Sequence, residues 1–212
     1  MKPTDNTVPI ASGRSLKLSE GPTRNSKRVK NTTVKFAEFV QRLKQPVRTH
    51  ESLADFFKAS KKVKNDIKDQ GYYIFGHFDQ GIRKKINLQG RDAIVLDGDF
   101  LSEDYKLVLE LALSQVAHVY CSTHSHRPKK PRIRVVIPLT RSVTPDEYVA
   151  IARKIADDIG MDYFDDTTYE VSRPMFWPSV SKDGDYVFYE QKSDWLNPDD
   201  VLAPVEPGTG PP

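Results

Sequence analysis

The stretch from Ala93 to Gly160 switches between apolar runs and helical spacing in a fixed order, and no other feature restricts the possible folds as much. AIVLDGDF is apolar from Ala93 to Leu96 and ends in two carboxylates. SEDYKLVLELALSQ then sets Leu107, Leu111 and Leu113 at helical spacing behind a Ser102 cap. AHVYCST and PRIRVVIPL read as strands. In the second, alternation puts Arg132, Arg134 and Val136 on one face and Ile133, Val135 and Ile137 on the other. TPDEYVAIARKIADDIG has every mark of a helix: Thr144 as cap, Glu147 at the capping-box position, and Gly160 to close it.

The flanks are less regular. VKFAEFVQRLKQ places Phe36, Phe39, Val40 and Leu43 at helical spacing, and SLADFF with KASKKVKNDIKDQG predicts one or two more short helices ending at Gly71. YYIFGH is a short strand broken at Gly76, and TTYEV, PMFWPSV and DYVFYE are short strands in the last third. The order strand, helix, strand, strand, helix, strand therefore predicts an α+β fold, an RRM-like antiparallel or mixed sheet with flanking helices and an N-terminal helical segment. Residues 1–33, rich in Lys, Arg, Ser, Thr, Pro and Asn, read as a flexible basic arm, residues 34–200 as one catalytic domain, and residues 201–212 as a Pro/Gly-rich linker or tail.

Several classes are excluded. No run approaches the ~18–20 apolar residues of a membrane span, and MKPTDNTVPIASGR lacks the apolar centre of a secretory signal, so the chain is expected in the cytoplasm. Cys121 is the only cysteine, which removes disulfide scaffolds and four-cysteine zinc modules. Neither GxxxxGK[ST] nor GxGxxG occurs, so the chain holds no motor ATPase or dinucleotide fingerprint. The net charge of +3 hides an asymmetry: residues 1–70 carry +9, residues 71–142 carry +4, and residues 143–212 carry −10. A basic front fits a polyanionic partner, although any single lysine-rich helix is more often just a solvated surface.

Three segments carry candidate chemistry. Asp97 and Asp99 stand two apart at a strand end and so share a face, with Cα atoms roughly 6.5–7 Å apart. Converging carboxylates call for a counter-charge such as a hard divalent cation, while Asp-Gly is equally a common turn pair. STHSH, from Ser122 to His126, follows a second apolar strand; hydroxyls and imidazoles beside Arg132 and Arg134 suit a polyphosphate, a surface turn or a metal pair at His124 and His126. FDDTTYEVSRPMFWPS contributes Asp165, Asp166 and Arg173, which could complete an acidic cage or form a loop with its own ion pair.

In this order, VLDGDF, STHSHRPKKPRIRVVIPL, TPDEYVAIARKIADDIG and FDDTTYEVSRPMFWPS resemble the archaeo-eukaryotic primase superfamily, in particular the primase-polymerase domains of phage and mobile-element replication helicases. The resemblance spans roughly residues 34–200 and rests on the order and spacing of several motifs. It implies a primase-polymerase that performs template-directed nucleotidyl transfer with two Mg2+ or Mn2+ ions on Asp97, Asp99 and Asp165. It assigns His126, with Ser125 or Ser122 beside it, to the nucleotide triphosphate; His124 competes for that role. Arg173, Arg132 and Arg134 are extended to phosphate contacts, and Arg83, Lys84 and Asn87 to weaker nucleotide or template contacts. The implied partners are a single-stranded DNA template, dNTP or NTP substrates and a helicase domain in the same or a separate chain, with the isolated domain a monomer in a bacterial host. Trp177 is available for base stacking but reads more readily as core.

Two other classes stay open at this level. A His-x-His rolling-circle nuclease shares the pair His124 and His126, but its middle residue is apolar where Ser125 stands here. A single-strand-binding module without catalysis accounts for the basic arm and leaves the carboxylates unexplained.

Overall fold

The structure, a computed structural model, describes residues 14–203. It begins with a hairpin, β1 (Ser15–Gly21) and β2 (Lys30–Lys35), followed by helix α1 (Phe36–Leu43), the two-residue strand β3 (Val47–Arg48), α2 (Leu53–Lys58) and α3 (Lys61–Lys68). Next come β4 (Tyr72–Phe75) and the centre of the fold: β5 (Arg91–Gly98), α4 (Tyr105–Leu113), β6 (His118–Ser122), β7 (Ile133–Val143) and α5 (Pro145–Ile159). Short pieces close the chain: β8 (Met175–Phe176), β9 (Ser179–Val180), β10 (Phe188–Gln191) and α6 (Pro198–Leu202). No helix among the described residues is long and apolar enough to cross a membrane.

One antiparallel sheet runs β10-β6-β7-β5 and a second runs β2-β1-β4-β8, while β3 and β9 form a small parallel pair. The α+β class with antiparallel sheets and flanking helices is as the pattern predicts. β5 and β6 are joined through α4 with β7 inserted between them, the split β-α-β arrangement. The fourth strand, β10, pairs with β6.

Strand alternation divides the core in two. Ile94 and Leu96 of β5, Ile133, Val135 and Ile137 of β7, and Tyr72 and Ile74 of β4 face one way, beneath Leu109 and Leu113 of α4 and Tyr148, Ile151, Ala152 and Ile155 of α5. Ala93 and Val95, Val136, Tyr73 and Phe75 face the other way, against Phe39, Val40 and Leu43 of α1 and against Met175, Trp177 and Trp195. The strands are apolar on both faces because both are covered, which is why VVI and AIVL run without polar interruption. Trp177 is a core residue on this second face, 6% exposed.

The capping box of α5 forms as the sequence predicts: Glu147 donates its backbone N–H to Thr144 Oγ1 at 3.2 Å, and Thr144 N–H donates to the Glu147 carboxylate at 2.7 Å. Gly160 ends the helix at φ 134°, a conformation L side chains rarely adopt. Gly76 ends β4 at φ 140°, and a Cβ there would lie 2.2 Å from the Gly90 carbonyl oxygen.

Three expectations are corrected. Residues 14–33 are not a flexible arm: Leu16 and Leu18 alternate with Lys17 and Ser19, and the two leucines are buried while β2 shields the other edge of β1 with an alternating lysine and threonine strand. Of the expected tail at 201–212, Val201 and Leu202 complete α6, and residues 1–13 and 204–212 lie outside the described residues. TTYEV is not a strand; Asp166–Tyr169 is a 3-10 turn capped by the Asp165 side chain. Ser102 does not cap α4. Asp104 occupies that position without a side-chain cap bond, and the helix is rotated so that Leu109 and Leu113 are buried while Leu107 and Leu111 are exposed.

Candidate active site

Three strands bring one row of side chains to the end of the four-stranded sheet, on the face shared with α1 and Trp177. Asp97 of β5 is the register partner of Arg134 on β7, and Arg134 is in turn opposite Cys121 on β6. The apolar alternation that buries Val95 and Val136 delivers Asp97 and Arg134 to the same face. Arg134 Nε donates to Asp97 Oδ1 at 2.7 Å and its second nitrogen to Oδ2 at 3.2 Å, while a third donates to the Phe176 carbonyl at 2.6 Å. Asp97 N–H donates to Thr168 Oγ1 at 2.8 Å, which ties the strand end to the turn after Asp165.

One step further along, Arg132 donates to Asp99 Oδ1 at 2.8 Å at the rim. Burial pushes the Asp99 carboxyl above the ordinary carboxylate range; Arg132 and Lys68 oppose that, and the charges of Asp97 and Asp165 add to it. Lys68 of α3 is pulled down by burial and by the neighbouring Arg132. Asp97, Asp99, Arg132, Arg134, Arg173 and Lys68 line one cleft of about 230 Å³ together with Ser122, Thr123, His124, Ser125 and Ser179. The resemblance joins Asp97, Asp99, Ser122, His124, Ser125, Arg132, Arg134 and Arg173 from separate segments, and the fold brings these eight to one cleft.

The two histidines separate. His124 lines the cleft with its ring packed on Phe56, centroids 4.4 Å apart. Its Nε2–H donates to Glu51 Oε1 at 3.0 Å and its Nδ1 accepts from Ser179 Oγ at 2.8 Å. Burial pulls this imidazole below its ordinary value and the Glu51 contact only partly offsets that, so the ring is neutral near pH 7. For Glu51, burial pushes its carboxyl up, but hydrogen bonds from Thr49, its own backbone, Ser181 and His124 outweigh that and hold it down. His126 instead accepts the Arg132 N–H on Nδ1 at 3.1 Å, bracing the turn rather than the cleft wall. The sequence reading favours His126 over His124 as the triphosphate ligand; of the two, His124 is the ring that lines the cleft, and the chain turns at Thr123–His126, where His126 N–H donates to the Thr123 carbonyl at 2.9 Å.

Asp165 does not line the cleft. It belongs to a neighbouring depression with Phe100, Met161, Phe164 and Asp166, and its Oδ1 accepts from Thr167 N–H at 2.7 Å and from the Thr167 hydroxyl at 2.5 Å. These bonds, led by the Thr167 hydroxyl, lower its pKa, with Arg173 adding to the effect. Its segment is nonetheless anchored to the acidic strand end: Phe164 bridges Gly98, and Asp99 N–H donates to the Tyr163 carbonyl at 3.1 Å. Among the described residues no group of three His, Cys, Asp or Glu side chains is assembled to hold a metal. In this arrangement Asp97 and Asp99 are paired with Arg134 and Arg132, and Asp165 with Thr167. The donor chemistry still suits a hard cation: carboxylate oxygens on adjoining segments, with Asp99 at the rim and already sensing the charges of both others.

Sequence reasoning missed Lys68, Thr123 and Ser179 of the cleft lining, and Glu51, which holds His124. Glu51 lies in THESLADFF, where the sequence reading assigns no site residue, and its partner His124 lies 73 positions away.

The fold and cleft define an α+β domain whose sheet end gathers carboxylates, arginines and hydroxyls in one place. The VapE N-terminal domain family matches residues 1–207, and the chain belongs to that family. Among solved structures, it is similar to the AEP domain (PP-N190) of the Cyanophage S-2L primase-polymerase (PrimPol), with a TM-score of 0.47 and 13% identity over 89% of this chain and 87% of that one. No curated protein matches the chain.

Proposed function

We propose that the cleft binds a nucleoside triphosphate and transfers its nucleotidyl group to a strand end, the primase-polymerase reaction, in phage or mobile-element DNA replication. The observation that carries this reading is the joint lining of one cleft by Asp97 and Asp99, four cationic side chains and a hydroxyl-rich wall. Arg132, Arg173 and Lys68 are the phosphate contacts, and Ser122, Thr123 and Ser125 supply hydroxyls. Asp97, Asp99 and Asp165 would hold Mg2+ or Mn2+; a bound ion supplies neutralisation of phosphate charge and a lowered pKa for the attacking hydroxyl. Arg132 would then exchange its Asp99 contact for a phosphate. Arg134 stays paired with Asp97 and braced on Phe176, and so positions that carboxylate. The proposed partners are a single-stranded DNA template, dNTP or NTP substrates and a helicase module in the same or another chain.

The test is incorporation of labelled nucleotides on primed and unprimed single-stranded templates with each ion and with chelator. Asp99→Asn is the informative variant, because Asp99 sits at the rim and its loss leaves the buried pair intact. Extension by the wild type that disappears in Asp99→Asn, with unchanged circular dichroism, is the expected result; full activity in Asp99→Asn refutes the assignment.

One observation favours a second reading, a single-strand-binding module without catalysis: both strand-end carboxylates are ion-paired to arginines. Such a module would bind DNA equally well in chelator and incorporate nothing.

A further inference from the structure

A second groove of about 610 Å³ opens beside the cleft and shares Lys68, Asp99, Ser125 and Arg132 with it. Its remaining walls come from α2, α3, the β6–β7 turn and the segment after β5. α2 contributes Phe56 and Phe57, α3 contributes Lys64, and the β6–β7 turn contributes Arg127, Lys129 and Lys130. Phe100, 62% exposed, stands at its edge where β5 ends.

The charge in this groove is one-sided. Lys64, Lys68, Arg127, Lys129, Lys130 and Arg132 line it against the single carboxylate of Asp99, which Arg132 already occupies. Among the described residues, the ion pairs do not include Lys64, Arg127, Lys129 or Lys130. The Arg127 guanidinium lies over the Phe57 ring at 4.2 Å, and its Nε is buried without a hydrogen-bond partner. Cations held close together on an ordered wall repel one another and are stabilised by a polyanion. An exposed aromatic ring beside them adds a face on which a base can stack.

We infer that this groove carries the single nucleic-acid strand whose end reaches the cleft, with Lys129, Lys130 and Arg127 on its phosphates and Phe100 against a base. The inference deepens the nucleotidyl-transfer reading and rests on it for the direction of the strand. A strand fits better than a free triphosphate because the cations extend from the shared wall at Arg132 out to Lys129 and Lys130, along a groove larger than the cleft. The β6–β7 turn is itself ordered by paired backbone bonds between Arg127 and Lys130, so its cations sit on a defined scaffold.

The experiment measures binding of a labelled single-stranded oligonucleotide by fluorescence anisotropy, in chelator and without nucleotide, across a salt series. The proteins are the wild type, the double variant Lys129→Gln/Lys130→Gln, Phe100→Ala and, as control, Lys154→Gln on α5, which lines neither the cleft nor the groove. Two lost phosphate contacts should lower the slope of log affinity against log salt by about 1.4 and weaken binding at low salt by tenfold or more. Phe100→Ala should weaken binding about fivefold or more with an unchanged slope. Lys154→Gln should match the wild type. Wild-type slope and affinity in the double variant, or no wild-type binding at low salt, overturns the inference. So does loss of inorganic tripolyphosphate binding with DNA binding intact, which would make the groove a triphosphate pocket. The two readings fail separately: loss of DNA binding in the groove variants stands even if the wild type incorporates no nucleotide, and incorporation by a wild type whose groove variants bind DNA normally leaves only the cleft.

Discussion

Arg134 and Asp97 face each other as register partners on neighbouring strands and close a two-pronged ion pair with side chains only 10% and 13% exposed. Removing one member of such a pair strands the other charge in a poorly solvated place. Asp97→Asn is therefore expected to lose about 3–5 kcal/mol of stability. The double variant Asp97→Asn/Arg134→Met should recover much of that loss, because it leaves no unpaired charge. Urea unfolding of both variants measures this. An Asp97→Asn protein as stable as the wild type would mean that the pair is not what holds the strand ends together. The consequence for activity is direct: a dead Asp97 variant is ambiguous between lost chemistry and lost fold, and Asp99→Asn is the cleaner probe.

Glu51 accepts hydrogen bonds from His124, Thr49 and Ser181, and the first of these fixes which imidazole nitrogen carries the proton. In Glu51→Gln the acceptor oxygen survives but the charge does not. The His124 ring should become harder to protonate, because the Glu51 carboxylate is what raises its pKa against burial. On the nucleotidyl-transfer reading, the KM for nucleotide should rise about tenfold, with kcat changing less, since a charged hydrogen bond contributes roughly 1.5–3 kcal/mol. NMR titration of the His124 imidazole and steady-state kinetics check the two parts. A merely structural Glu51 would change stability and leave the KM where it was.

The parts of the fold legible in the sequence are those where one pattern dominates. β5, β7 and α5 announce themselves through unbroken apolar runs or through a cap, a capping box and a closing glycine. The shared face of Asp97 with Asp99, and of Arg132 with Arg134, follows from alternation alone. What alternation cannot supply is which strand neighbours which, so the Asp97–Arg134 pairing and the arginine partner of Asp99 come only from the register. The hairpin at Ser15–Lys35 was hidden because lysines and threonines outnumber the two leucines that anchor it. Glu51 and His124 meet through tertiary packing of α2 against the loop after β6, which no local spacing encodes.

Leu16 gives the hairpin its test. It is fully buried in the second core cluster, beneath Phe39 and Leu43 of α1. A flexible arm would tolerate Leu16→Ala; an integral strand would not. The expected loss is about 2–5 kcal/mol, the range for removing a buried leucine side chain. Denaturant unfolding provides the value, and a loss below about 0.5 kcal/mol, the scale of surface changes, would contradict the hairpin's place in the core.

His118 supplies a pH dependence independent of the cleft. Its ring is buried beside Tyr120 and Tyr189, Nδ1 donates to the Val116 carbonyl at 2.9 Å, and Nε2 is buried with no hydrogen-bond partner. Burial pulls its pKa below the ordinary 6.5, with the Val116 bond opposing. A proton added to Nε2 in the folded state would thus have nothing to meet. The unfolded chain takes up that proton as the pH falls through about 6.5, while the folded one does not. The stabilisation is complete above that value and declines below it until the folded pKa is reached, by no more than about 1.4 kcal/mol per pH unit for this group. His124 and His126 shift in the same direction, so the decline continues after His118 is replaced but becomes shallower. Chemical unfolding of the wild type and His118→Asn at a series of values between about pH 7.5 and 5.5 tests this. A variant whose stability falls as steeply as that of the wild type would show that His118 does not titrate in this window.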